Sequence, residues 1–250
     1  MSSFNSPGMA SAASVDSDID DLQVIANDVL LKQSQIARVI SQIPDIFDKQ
    51  NQKNPTENFG DFFSNYRVGL LKAFDGLDLN EISKLALQLR ETRKTGASIY
   101  VFGNGGSSSA ATHLAADLGK IRFEDPSSYF RITSLSDNSA LITATANDVG
   151  YTQVFAHQIT RFVKPGDLVI AISSSGNSEN IVEGLLAANT NDAETWSILG
   201  FTGGKAAKIA DNQIYIPTNV GDYGFMEDVS SVIIHLLVTY IHEEDKKIFK

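Results

Sequence analysis

Residues 173 to 178 read Ser-Ser-Ser-Gly-Asn-Ser, set between the apolar run Leu168–Ile172 and a helical pattern that starts at Glu179. A strand, a hydroxyl-rich turn and a helix in that order aim hydroxyls and free backbone N–H groups at an anion on a helix N-terminus. The arrangement suits a phosphate, although a serine-rich loop that only caps its helix reads the same in isolation. A second unit of the same layout lies upstream. There Ser98–Phe102 leads into Gly103-Asn104-Gly105-Gly106-Ser107-Ser108-Ser109 and then into Ala110–Leu118. Three glycines among four residues allow a tight turn and close approach of a ligand to the main chain. A dinucleotide fingerprint would need a glycine where Ser108 stands, and a Walker loop would need Gly-Lys-Ser or Gly-Lys-Thr, so no nucleotide cofactor is expected.

Two kinds of side chain near these turns can move protons or hold a metal. His113 and Asp117 are four apart in the helical pattern after the first turn, so they share a face. They form either a solvated or capping pair, or an acid/base or metal pair. His235 lies in the apolar pattern Val229–Tyr240, where a hydrogen-bonded core or interface histidine is the plain alternative to a catalytic one.

Gly103-Asn104-Gly105-Gly106-Ser107, His113 with Asp117, Asn147-Asp148, Ser173-Ser174-Ser175-Gly176-Asn177-Ser178, Thr202-Gly203-Gly204 and His235 occur in the order of a known family. Over residues 60 to 242 the chain resembles the sugar isomerase (SIS) domain family, and phosphoheptose isomerases within it. The resemblance implies a ketose-to-aldose proton shift through an enediol, from sedoheptulose 7-phosphate to a heptose 7-phosphate. It implies Asp117 as catalytic base and His235 as the second acid/base group. Asn104, Gly105, Gly106, Ser107, Asn147, Asp148 and Glu227 would contact substrate, and Ser173, Ser174, Ser175 and Ser178 would grip its phosphate. It further implies a homotetramer with sites between subunits. The chain departs from the family in two places, with Asp117 where the family has Glu and Glu227 where better-known members have Gln. The shorter acid reaches less far toward a substrate proton. Glu227 lies eight residues before His235 and within about 80° of it on an ideal helix, so the resemblance implies a shared site. With His113 and Asp117 that site would offer two imidazoles and two carboxylates, a ligand set suited to zinc. The alternative is a non-catalytic SIS module that binds a sugar phosphate or a protein partner; retention of both His113 and His235 speaks for the enzyme.

The elements that must position these residues alternate. Strands are expected at 98–102, 130–135, 168–173, 195–201 and 213–216, and helices at 107–120, 138–146, 151–163, 178–189, 204–210 and 226–242. Alternation of this kind predicts an α/β fold, a doubly wound parallel sheet with helices on both faces and ligands at the carboxyl ends of its strands. Ahead of it, Ile19–Phe47 has helical spacing, a polar stretch from Lys49 to Asn58 breaks the pattern, and two further helices run from about Phe62 to Phe74 and from Leu79 to Arg93. The expected organisation is a disordered tail over 1–18, N-terminal helices over 19–78 that cover the core or a neighbouring subunit, and an SIS domain over 79–250.

Composition narrows the class. With 20 Lys and Arg against 30 Asp and Glu, the net charge of −10 argues against a nucleic-acid partner, which needs clustered basic residues. The first 18 residues lack the basic and apolar segments of a secretory signal, and no run approaches the ~20 apolar residues of a spanning helix. Absence of cysteine removes thiolate chemistry. The expectation is a cytoplasmic enzyme.

Overall fold

The computed structural model describes residues 57–121 and 129–248. The expected tail, the expected helix Ile19–Phe47 and residues 49–56 of the expected polar break lie outside them, as does 122–128, while Glu57 and Asn58 at the end of that break already open a helix. Two compact units divide between Asp61 and Phe62. The second holds a five-stranded sheet and its helices.

Helix α1 (Glu57–Asp75) is followed by α2 (Leu79–Thr95). Asp78 caps α2, its side chain accepting from the Asn80 N–H at 2.9 Å, and Gly96 ends it in the left-handed conformation at φ 72°. The chain then enters the alternating region through β1 (Ser98–Gly103), α3 (Gly106–Gly119), β2 (Arg131–Ser134) and α4 (Ser139–Asp148). It continues with α5 (Ala156–Phe162), β3 (Leu168–Ser173), α6 (Glu179–Thr190), β4 (Glu194–Leu199), β5 (Asn212–Tyr215) and α7 (Tyr223–Ile248).

All four strand pairings are parallel, and the order is β2-β1-β3-β4-β5. The chain therefore winds outward one way from β1 and the other way from β3. In doubly wound sheets ligands bind at this switch point, beyond the carboxyl ends of the strands. The Gly103–Ser107 turn leaves β1 there and the Ser173–Ser178 turn leaves β3.

Every residue of β3 is buried, as expected of a central parallel strand covered on both faces. Leu168, Ile170 and Ile172 pack with Ile99, Val101, Trp196, Ile198 and Ile214 and with α2, α3 and α7. Val169 and Ala171 face the other way, into a cluster with Phe102, Phe155, Ile159, Ile181 and Leu185. Period-two alternation thus splits one strand between two cores.

Two expected helices are shorter in the structure. The segment expected as a helix over 151–163 is a single 3₁₀ turn at Tyr151–Gln153 and then α5. The segment 204–210 forms only a 3₁₀ turn at Ala206–Lys208. Gly203 and Gly204 enter it at φ 74° and 59°, which folds the chain back onto the Ser173–Ser178 turn, and the Ala206 N–H bonds to the Gly176 carbonyl at 2.9 Å. Helix α7 is long and apolar enough, by length and composition, to cross a membrane over Tyr223–Glu244. That qualifies the expectation that no segment approaches such a length. One stripe of it, including Met226, Val229, Ile233, Ile234, Leu237 and Ile241, lies in the core against the sheet.

Candidate active site

The first turn depends on its glycines. Gly105, the residue before α3, sits at φ 54° and ψ −125°, a region open essentially to glycine alone. A Cβ on Gly103 would strike the backbone of Ser107 and the Ile172 carbonyl, so β1, β3 and the start of α3 are in close contact. No side chain caps α3, and none caps α6 behind Ser178. Both helix N-termini therefore present backbone donors at the strand edge.

The second turn is shaped by its own hydroxyls. Ser173 Oγ accepts from the Gly176 N–H at 3.1 Å, and Ser175 Oγ accepts from the Asn177 N–H at 3.2 Å. Gly176 has φ 61°, and a Cβ there would collide with the Gly203 backbone. Asn177 Oδ1 accepts from the Lys205 N–H at 3.1 Å. The Thr202-Gly203-Gly204 segment is thus the buttress of the serine turn. Ser173 and Ser174 are buried, while Ser175 and Ser178 are partly exposed.

Helices α3 and α7 pack side by side, and this contact assembles the titratable cluster. His235 Nε2 lies 3.2 Å from His113 Nε2, the two rings meeting edge to face. Asp117 Oδ2 is 3.1 Å from His113 Nε2 and 4.0 Å from His235 Nε2. The carboxylate is largely buried, with 11 % of its side chain exposed, whereas the imidazoles are 41 % and 59 % exposed. A carboxylate is thereby sheltered beside two rings that reach solvent.

Asp117 Oδ1 accepts a hydrogen bond from Lys120 Nζ at 2.5 Å. That bond is the largest influence holding the Asp117 carboxyl below its ordinary value; partial burial opposes it, and His113, the Lys120 charge and His235 add to the lowering. The acid is therefore ionised at neutral pH.

His113, Asp117 and His235 can each direct one ligand atom to a common point, these atoms lying within 4.8 Å of one another. Bonds of about 2.1 Å in tetrahedral array separate ligand atoms by roughly 3.4 Å, against 3.1, 3.2 and 4.0 Å here, so these three residues could hold an ion of zinc's size. Glu227 is not in this group, and the four-residue ligand set expected from sequence narrows to three. The helices run in the same direction, so Glu227 meets Gly106 at the start of α3 and His235 meets His113 two turns further on. Eight residues are about 12 Å along a helix, a separation that angular proximity on the helix conceals.

The remaining expected residues distribute as follows. Asn104 is engaged with other side chains of the site. Gly105, Gly106 and Ser107 form the turn, with Ser107 buried. Asn147 and Asp148 close α4, exposed and bonded to each other at 2.8 Å. Three residues of the site have no counterpart among those expected: Lys120 on Asp117, and Asn180 and Tyr151 on Asn104. Lys120 lies three residues after an acid on a helix, a spacing that signals such a pair. The other two are brought in only by the fold.

Residues 62–200 match the sequence model of the SIS domain. This chain belongs to the SIS domain family. It is 35 % identical over 170 residues to a probable phosphoheptose isomerase of Thermoplasma volcanium, spanning 68 % of this chain and 85 % of that one. It is 34 % identical over 163 residues to the phosphoheptose isomerase of Trichlorobacter lovleyi, covering 65 % and 81 % of the two chains. Among solved structures, a phosphoheptose isomerase from Francisella tularensis shares the fold of this SIS chain. The TM-score is 0.68 at 22 % identity, over 76 % of this chain and all of the other.

Proposed function

We propose that this SIS chain is an aldose–ketose isomerase that converts sedoheptulose 7-phosphate to a heptose 7-phosphate by proton transfer through an enediol. The observation that carries this reading is the meeting of the buried Asp117 carboxylate with two solvent-facing imidazoles along α3, behind an uncapped helix N-terminus at the switch point. The names of the relatives support the same substrate.

About 10 Å, two turns of α3, separates Gly106 from His113. A substrate whose phosphate sits at the strand edge must extend along α3 to present its carbonyl to the cluster, and an elongated sugar phosphate does so. Ser173, Ser174, Ser175 and Ser178, with the N-terminus of α6, hold the phosphate. Charge is matched there by helix dipole and hydroxyls rather than by basic residues. Gly105, Gly106 and Ser107 let the sugar lie against the main chain, Asn104 donates to one of its oxygens, and Asn147, Asp148 and Glu227 face its hydroxyls.

Asp117 removes the proton from C1 of the ketose as electrons move into the C1–C2 bond, and His235 gives a proton to the carbonyl oxygen on C2. The enediol then collapses: the C1 hydroxyl returns its proton to His235, and Asp117 delivers the first proton to C2. Fixing base, acid and carbonyl in one frame replaces a bimolecular encounter with an oriented one. A zinc ion held by His113, Asp117 and His235 would polarise the two substrate oxygens. With His235 Nε2 on the ion, its proton transfer would fall to Nδ1, because one nitrogen lone pair serves either a metal or a proton.

Assembly as a homotetramer with sites between subunits is part of the same reading; the exposed apolar residues Phe63, Val68 and Leu71 on α1 and a groove lined by Val68, Leu71, Lys72, Asp75, Gly76 and Pro217 offer a face for another copy. The acidic, cysteine-free composition suits a cytoplasmic enzyme.

The test is incubation with sedoheptulose 7-phosphate and a panel of pentose and hexose phosphates, with and without chelator, following ketose-to-aldose conversion. His235→Ala and Asp117→Asn are expected to lose about 10²-fold or more in turnover. Turnover of a shorter sugar alone would move the substrate. No turnover of any sugar phosphate would leave a binding module.

A further inference from the structure

Asn104 and Asn180 form a reciprocal amide pair across the switch point. Asn104 Nδ2 donates to Asn180 Oδ1, and Asn180 Nδ2 donates to Asn104 Oδ1, each at 2.8 Å. Asn180 is 2 % exposed. Tyr151 Oη, on the 3₁₀ turn after α4, donates to the same Asn104 Oδ1 at 3.1 Å. Asn104 is the residue directly after β1, and Asn180 is the second residue of α6, which follows β3. The pair therefore ties the glycine turn after β1 to the first turn of α6, just behind the serine turn that follows β3.

An amide has two acceptor directions on oxygen and two N–H donors on nitrogen. Both acceptor directions of Asn104 are taken, by Asn180 and Tyr151, and one of its donors is spent on Asn180. What remains for a ligand is one N–H. The pairing thus converts an amide that could turn either way into a donor of fixed direction, suited to an oxygen of the substrate that accepts. The buried partner supplies the constraint, since rotation of Asn104 would leave polar atoms of Asn180 unpaired away from water.

We infer that Asn180 and Tyr151 are positioning residues for the isomerase reaction, holding Asn104 as a one-donor contact to a substrate oxygen and keeping the two turns in register. The inference rests on the isomerase reading given above. Their effect falls on substrate affinity, because neither reaches the atoms that exchange protons.

Kinetics with sedoheptulose 7-phosphate, together with thermal unfolding, tests this in Asn104→Ala, Asn180→Ala, Tyr151→Phe and the double variant Asn104→Ala/Asn180→Ala. The expected rise in KM is about 10-fold for Asn180→Ala and about 3-fold for Tyr151→Phe, with kcat changed by less than about 3-fold. Because Asn180 acts through Asn104, the double variant should bind no worse than Asn104→Ala alone. A KM unchanged in Asn180→Ala and Tyr151→Phe, or a double variant whose losses multiply, overturns the inference while the active wild type leaves the isomerase reading standing. A wild type inactive on every sugar phosphate overturns both. If Asn180→Ala does not fold, the exposed Tyr151→Phe and its pairing with Asn104→Ala decide the question by the same non-additivity.

Discussion

Asp117 carries two bonds with opposite consequences. Lys120 on Oδ1 keeps the carboxylate ionised and turned so that Oδ2 faces the histidines, but a carboxyl held below its ordinary value is a weaker base. Replacing Lys120 by Met removes the largest lowering influence and leaves burial opposed only by the two histidines, so the value rises. The acid limb of the kcat/KM profile should therefore move to higher pH in Lys120→Met, and a pH–rate series checks it. Linkage gives the matching sign for stability. A depressed carboxyl stabilises the fold at pH above the ordinary aspartate value near 4, and that contribution is lost as pH falls through the lower folded value. Metal binding separates the residues of the cluster from Glu227. Zinc measured by elemental analysis on protein purified without chelator should be stoichiometric in the wild type, kept in Glu227→Gln and lost in His113→Ala. Loss in Glu227→Gln instead would return that carboxylate to the ligand set.

Among the elements, the serine turn and its glycine buttress form a unit that tolerates little change. Ala at Gly176 meets a strained φ, costing about 1–2 kcal/mol, and also a collision with the Gly203 backbone. Thermal unfolding of Gly176→Ala should show a loss of roughly 2 kcal/mol or more, with sugar phosphate binding weakened alongside it. A second junction joins α1 to the start of α7, where Tyr66 Oη donates to Asp228 Oδ2 at 2.5 Å and its ring lies 4.7 Å from that of Phe225. The hydrogen bond to Asp228 is the first cause that pushes the Tyr66 hydroxyl up to about 12, with burial adding to it. A raised value means stability present in full below the ordinary tyrosine value near 10 and lost as pH rises from there through the folded value. Alkaline unfolding in that window should flatten in Tyr66→Phe. These elements also show what sequence pattern can and cannot deliver. Strand β3 is expected at 168–173 and found there because a buried central strand is one continuous apolar run, bounded by Pro165-Gly166 and a glycine turn. The segment 204–210 fails as a helix because its direction is set by contact with a turn about thirty residues earlier. Likewise His113 and Asp117 are legible as a pair by spacing alone, whereas His235 joins them, and Glu227 leaves them, through the packing of α3 on α7. Asn180 and Tyr151 carry no local signal, because their shared partner is contributed by a different strand-to-helix connection.

At the scale of the whole molecule, α1 carries a run of exposed apolar side chains among the described residues. Val68 is 60 % exposed and Leu71 is 41 % exposed beside Pro217, and Phe63 lies on the same helix. Exposed apolar patches of this kind mark interaction surfaces, and a second copy of the chain is the occupant that the proposed tetramer supplies. The consequence reaches the site through α1, whose Tyr66 holds Asp228, the residue next to Glu227 on the first turns of α7. Covering α1 should steady the start of α7 and with it the carboxylate that lies on Gly106. Val68→Asp with Leu71→Asp places charge on a surface that assembly would bury, where an unpaired carboxylate is strongly disfavoured. In a monomer the same substitutions face solvent and should change stability by only about 0.5 kcal/mol. Sedimentation of the double variant should show dissociation from the tetramer together with a loss of turnover, while its far-ultraviolet circular dichroism stays that of the wild type. A variant that sediments as the wild type does would place the subunit contact elsewhere. One that dissociates yet keeps full turnover would show that each chain holds a complete site.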